Sequence, residues 1–146
     1  MVEVIQFMGV VRATSASRSL LARLIRAEAE GDGENGMLMV GTVGINRILA
    51  DCLDFKSVRS IEDMVYQSPG GFEAVQKPYF YQQARSKDKR LADRVIAGER
   101  AWPATNALWF LRTDSCPSQW YGQYNVGRYK SHCFFRPTPS VCPRVY

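Results

Sequence analysis

Leu21, Leu24 and Ile25 lie within about 100° of one another on a helical wheel, and this spacing predicts an amphipathic helix through residues 20–31. Arg23, Arg26 and Glu30 take its opposite, solvated face. Thr14, Ser15 or Ser17 can cap the start of this helix, and Gly31 is a natural stop. One residue breaks the pattern. Glu28 falls inside the apolar stripe, a turn beyond Leu24, where a carboxylate has no obvious reason to be.

The run "DGENG" predicts an exposed turn, and a second helix follows over 37–50. Met37, Val40, Gly41, Gly44, Ile45 and Ile48 recur in it at helical spacing, until Asn46 and Arg47 interrupt the apolar face. Its glycines weaken the helix, and the expected return is close approach to a neighbouring helix, the first one. "SIEDMVYQ" reads as a short helix leading into the loop "SPGGFEAV", which leaves Phe72 and Glu73 on irregular backbone. "SKDKRLADRVIAGE" is a further helix with Leu91, Val95 and Ile96 inward. Beyond Pro103, "ALWFLR" and "GRYKSHCFF" predict a hairpin-like pair of strands joined by "TDSCPSQWYGQYNV". No repeat or linker interrupts the pattern, so the expectation is one α+β domain over residues 1–146.

Composition narrows the chemistry. The formal charge is +5, but the cations are dispersed, and the one local cluster, "RSKDKR", contains an Asp. That distribution fits a solvated basic surface and argues against nucleic acid as a partner. No apolar run approaches the roughly 20 residues of a membrane span, and the start lacks the basic region of a secretory signal. Cys52, Cys116, Cys133 and Cys142 have no CxxC spacing. A zinc site from Cys116, His132 or Cys133, and Cys142 would lack close ligand pairs. Buried free thiols, or disulfides formed in an oxidising assembly, are the alternatives. No metal and no cofactor is expected.

Glu28 carries two readings. A structural carboxylate would pair with Arg47 or cap a helix end. A functional one would be a general acid: desolvation on an apolar face raises a carboxyl's pKa, and cleavage of a glycosidic bond needs a proton held near neutral pH. Aromatic residues crowd the second half, among them Tyr79, Phe80, Tyr81, Trp102, Trp109, Trp120, Tyr121 and Tyr124. Their faces suit sugar rings as well as cores.

The segment "LLARLIRAEAEGDGENGMLMVGTVGINRI" closely resembles the opening motif of the SleB/CwlJ cell-wall hydrolases, which degrade the spore cortex. The resemblance continues through "MVYQSPGGFEAV" and "ALWFLR" to "KSHCFF", over roughly residues 19–136, and looks most like the CwlJ branch. It places the family's catalytic acid on Glu28, its Asn-Arg pair on Asn46 and Arg47, its loop aromatic on Phe72 and its late histidine on His132. The chain departs from many members at Gly71, where a Gln is common, and at Ser131, where an Asn is common.

The resemblance implies a lysozyme- or transglycosylase-like fold, a helical lobe and a small antiparallel β lobe across a substrate groove. It implies peptidoglycan glycan strands as substrate, cut between N-acetylmuramic acid and N-acetylglucosamine. The expected site is Glu28 as catalytic residue, with Phe72, Glu73, Tyr66, Trp109, Trp120 and His132 binding substrate and Asn46 and Arg47 structural beside them. His132 is expected to be a structural or substrate-orienting residue and not an acid/base group. Glu73 is the only loop carboxylate, Asp32 and Glu34 being placed in the exposed turn, so lytic transglycosylation by one carboxyl is favoured over hydrolysis by two. The resemblance also implies synthesis in the mother-cell cytoplasm, a place in the spore coat at the cortex boundary, and a small GerQ-like anchoring protein as partner. A muramidase or glucosaminidase is the alternative enzyme, and an inactive coat protein the alternative from another class.

Overall fold

The computed structural model describes residues 9–68, 71–120 and 122–146. Pro69 and Gly70 of the expected Pro-Gly-Gly turn, and the aromatic Tyr121, lie outside the described residues. Helix α1 (Ser15–Ala29) starts at Thr14, whose Oγ1 accepts the Ser17 N–H at 3.1 Å while Ser17 Oγ accepts the Thr14 N–H at 2.8 Å. This reciprocal cap satisfies two amides that the first turn leaves without helical partners. Leu20, Leu21, Leu24 and Ile25 are buried as the stripe predicts.

Helix α2 (Gly33–Ala50) begins earlier than expected. The predicted turn shrinks to a 3-10 turn over Glu30–Asp32 closed by Gly33 at φ 79°, a left-handed conformation that glycine adopts without strain. From Gly36 to Ala50 every residue except Leu49 is buried, so α2 is a central helix enclosed on nearly all sides. Its glycines do allow close approach, chiefly to elements other than α1. A Cβ on Gly41 would lie 3.1 Å from Val95 in α4 (Ser86–Ile96) and 3.5 Å from Ile25 in α1. One on Gly44 would lie 2.9 Å from Met64 in α3 (Ile61–Val65), which Ser60 caps.

The expected pair of strands is a four-stranded antiparallel sheet in the order β1-β4-β3-β2. Its strands are β1 (Trp109–Arg112), β2 (Gln119–Trp120), β3 (Gln123–Tyr129) and β4 (His132–Arg136). The segment read as a connection supplies β2 and half of β3, and "GRYKSHCFF" reverses at Lys130, whose φ is 50°. Phe134 packs with Met39, Val43, Ala104 and Ala107 between the sheet and α2. The four cysteines form two disulfides, Cys52–Cys142 and Cys116–Cys133, which removes the free-thiol and zinc alternatives. No helix among the described residues is long and apolar enough to cross a membrane.

Gly127 sits in β3 at φ 146°, and a Cβ there would come within 2.9 Å of the Pro103 ring. Gly127→Ala is therefore expected to cost about 1–3 kcal/mol through backbone strain and collision, read as a lowered melting temperature in thermal denaturation.

Candidate active site

Glu28 occupies the last turn of α1, half-buried, and Arg47 the last turn of α2. Both open onto a cleft of about 550 Å³ whose other walls are the 71–74 loop with Lys77, Phe110 to Arg112 of β1, and His132 of β4. Glu28 Oε1 accepts the Ala74 N–H at 3.1 Å, from the first turn of the 3-10 segment Glu73–Gln76. Burial raises its pKa above the ordinary glutamate value. The carboxylate of Glu73 adds to the rise, and the Ala74 amide, His132 and Arg47 oppose it without cancelling it.

Arg47 is only 5% exposed. Its guanidinium carbon lies 4.5 Å from the ring centre of Phe72 and 5.0 Å from that of Phe55, and Nε donates to the Leu108 carbonyl at 2.9 Å. Burial pushes its pKa down to about 10, and attraction to Glu28 resists that fall. It is still a cation at neutral pH. Phe72, buried on the loop, stacks on Phe110 with ring centres 5.8 Å apart, so the loop is pinned to the sheet and to α2 at once. Asn46 holds the approach to β1. Its amide donates to the carbonyls of Ala107 at 2.8 Å and Thr105 at 3.1 Å.

His132 is buried in the cleft wall with Nδ1 2.6 Å from Asp32 Oδ2 and its ring edge-on to Phe110. Asp32 is the residue that sequence reasoning missed. It is 6% exposed, not in an exposed turn, and accepts the Ser131 hydroxyl at 2.9 Å as well as facing His132. Burial would raise its pKa, but the hydrogen bonds from His132 and Ser131 together hold it below the ordinary aspartate value. The partners are about a hundred residues away, and a polar "GDGEN" run gives no local sign of them. Ser131 thus serves the carboxylate behind the histidine.

The remaining expected site residues are placed as follows. Glu73 lines the cleft with its side chain 82% exposed and Lys77 3.5 Å away. Tyr66 is exposed in an adjoining depression that shares Gly71, Phe72 and Glu73 with the cleft. Trp109 packs on Phe55 and Trp120 on Phe135, outside the cleft lining. Among the described residues no group of three His, Cys, Asp or Glu could hold a metal ion.

A helical part and an antiparallel sheet facing each other across a groove, with a carboxyl at the end of the first long helix, define a lysozyme-like α+β fold. The catalytic domain of Bacillus cereus SleB superimposes with a TM-score of 0.69 over 90% of this chain and 98% of that one, at 20% identity. The catalytic domain of the germination-specific lytic transglycosylase SleB from Bacillus anthracis does so with 0.65 over 85% and 97%. The chain belongs to the Cell Wall Hydrolase family, which it matches over residues 31–135. It is a peptidoglycan-degrading enzyme, similar along its length to proteins named cell wall hydrolase CwlJ. It is 64% identical to that of Oceanobacillus iheyensis, over 95% of this chain and 99% of the relative. The figure for Bacillus subtilis is 58%, over 95% and 98%. The family match includes Asp32, Asn46, Arg47, Phe72 and His132 and starts three residues after Glu28.

Asp32→Ala would leave His132 Nδ1 and the Ser131 hydroxyl without their buried acceptor, a loss of about 1–3 kcal/mol at neutral pH. Because the folded pKa of Asp32 is depressed, its ionised form stabilises the fold above the ordinary aspartate range, and that contribution fades as pH falls through the folded value. Melting curves taken from neutral pH downwards should therefore show the wild-type advantage over Asp32→Ala shrinking in acid.

Proposed function

We propose that this chain cuts the glycan strands of spore-cortex peptidoglycan during germination, by lytic transglycosylation with Glu28 as the single acid/base. The observation that carries the reading is the desolvated carboxyl of Glu28 at the groove, its pKa raised by burial. A protonated Glu28 gives its proton to the glycosidic oxygen as the bond to C1 breaks. The 6-hydroxyl of the same muramoyl sugar then bonds to C1, and Glu28, now a carboxylate, takes that hydroxyl's proton. The products are a 1,6-anhydro end and a free 4-hydroxyl, and Glu28 returns to its starting state. No water has to be positioned.

Arg47 and His132 are suited to steady the carboxylate after it has given up its proton, since both favour its ionised form. Tyr66, exposed beside the groove, offers ring surface for sugars, and Phe72 contributes by holding the loop in place. The relatives' family and the SleB fold support a wall substrate and the germination setting. A coat location and a small GerQ-like anchoring partner belong to the same proposal, as does a single catalytic domain spanning residues 1–146. Hydrolysis is the second reading, because Glu73 lines the same cleft and acts on Glu28 electrostatically. In it Glu73 would activate water.

Two substitutions test this. Glu28→Gln keeps the acceptor for the Ala74 amide and removes the proton, so digestion of purified cortex should fall by at least about 100-fold. Ionising Glu28 opposes folding above its raised pKa and not below the ordinary glutamate range. The variant should accordingly melt at or above the wild-type temperature at neutral pH, with the difference vanishing in acid. Loss of stability with normal digestion below the melting point would mark Glu28 as structural. Glu73→Gln should retain activity within about threefold, against a loss of about 100-fold if it were the general base. Its alkaline limb should move to lower pH, because one of the charges that raises Glu28 is gone. Mass analysis of the released muropeptides should show anhydro ends in both wild type and Glu73→Gln.

A further inference from the structure

Arg112, at the end of β1, lines the catalytic cleft and also a second, open depression of about 630 Å³ beside it. Thr113, Asp114, Arg128, Lys130 and Ser131 complete that depression. Three of its six lining residues are cations, and Asp114 is the only carboxylate among them. Among the described residues none of the three cations forms an ion pair. Several basic side chains elsewhere do: Arg18, Arg85 and Arg94 each hold a carboxylate at 2.5 to 2.9 Å.

The arrangement is also held in place. Arg128 Nε donates to the Lys130 carbonyl at 2.7 Å, and Nη1 donates to the Asp114 carbonyl at 2.5 Å. Backbone acceptors fix the guanidinium without neutralising it, so its charge stays available to a ligand. The segment that provides the Asp114 carbonyl is tied to β4 by the Cys116–Cys133 disulfide. Lys130 stands at the β3–β4 reversal with φ 50° and its ammonium 5.5 Å from the Tyr129 ring centre.

We propose that this depression is a subsite for the carboxylates of the peptide stems carried by the glycan strand, an inference that rests on the peptidoglycan reading above. A muramoyl sugar seated at Glu28 projects its peptide away from the ring. Arg112 belongs to both cavities, so a stem leaving the cleft along β1 enters the cationic depression directly. Its carboxylates meet Arg112, Arg128 and Lys130 there, in water-exposed contacts that select stem-bearing strands and weaken with salt.

The test is strand binding, followed on a sensor surface in the full-length Glu28→Gln protein so that substrate is not consumed. The surface carries end-anchored, uncross-linked glycan strands with intact stems, the same strands stripped of peptide by an amidase, or intact strands with their carboxylates converted to amides. Intact strands should bind about tenfold more tightly than the other two, and the preference should collapse at high salt. Adding Arg112→Gln and Lys130→Asn should bring the ratio close to one. Asn suits the positive φ at position 130, and both side chains are exposed, so folding is not at stake. Equal binding to intact and stripped strands overturns the proposal, as does an undiminished ratio in the variant. Tight binding to amidated stems would assign the preference to the peptide itself and overturn the carboxylate claim. Wild-type protein that cuts none of the strands would refute the function reading, whereas the binding ratio judges the subsite by itself.

Discussion

A guanidinium with almost no water around it holds the groove together. Arg47 lies between the rings of Phe55 and Phe72 and donates to the carbonyl that precedes β1. It therefore touches α2, the turn after it, the 71–74 loop and the lead into the sheet. Taking such a charge out of water is expensive. The downward push on its pKa, to about 10, records that cost, and part of the compensation is a carboxylate across the cleft. Glu28 and Arg47 thus constrain each other. Attraction to Glu28 resists the fall in the Arg47 pKa, and Arg47 in turn favours the ionised form of Glu28 against the burial that raises its pKa.

The second constraint is behind the histidine. Asp32 ends the short 3-10 turn between α1 and α2, and its carboxylate reaches across to Ser131 and His132 at the start of β4. One polar contact thereby fixes the spacing between the helix that carries Glu28 and the strand that forms the facing wall. Phe110 packs between them, stacked with Phe72 on one side and edge-on to His132 on the other. The cleft is lined by groups held from behind, which fixes the geometry of the site.

Much of this was legible in the chain because the relevant signals are local. The stripe of α1 exposes Glu28 as an anomaly at once, and the helical spacing of α2 marks Asn46 and Arg47 as interruptions. Phe72 and Glu73 follow from the Pro-Gly-Gly run. What was not legible depends on distant partners. Asp32 sits in a polar run that looks like a solvated turn, and only Ser131 and His132 explain its burial. Gly41 and Gly44 announce close contact, but nothing local says that Val95 and Met64 are what approach them. Strand β2 is two residues long and carries no alternation. The cysteine pairing is equally invisible, since four cysteines allow three connectivities. Trp109 and Trp120 illustrate the ambiguity of aromatic residues, for each packs on a phenylalanine outside the cleft.

The account stands on Glu28 keeping its proton because the groove desolvates it, and on that proton being the one used. The direct measurement is a side-chain carboxyl titration of Glu28 by carbon NMR, set beside the pH dependence of kcat/KM for cortex cleavage, which reports ionisations of the free enzyme. The account predicts that Glu28 titrates above the ordinary glutamate value of 4.5 and that the alkaline limb of the rate profile falls at the same pH. A Glu28 that titrates at or below that value, or a rate profile that ignores its titration, would contradict it.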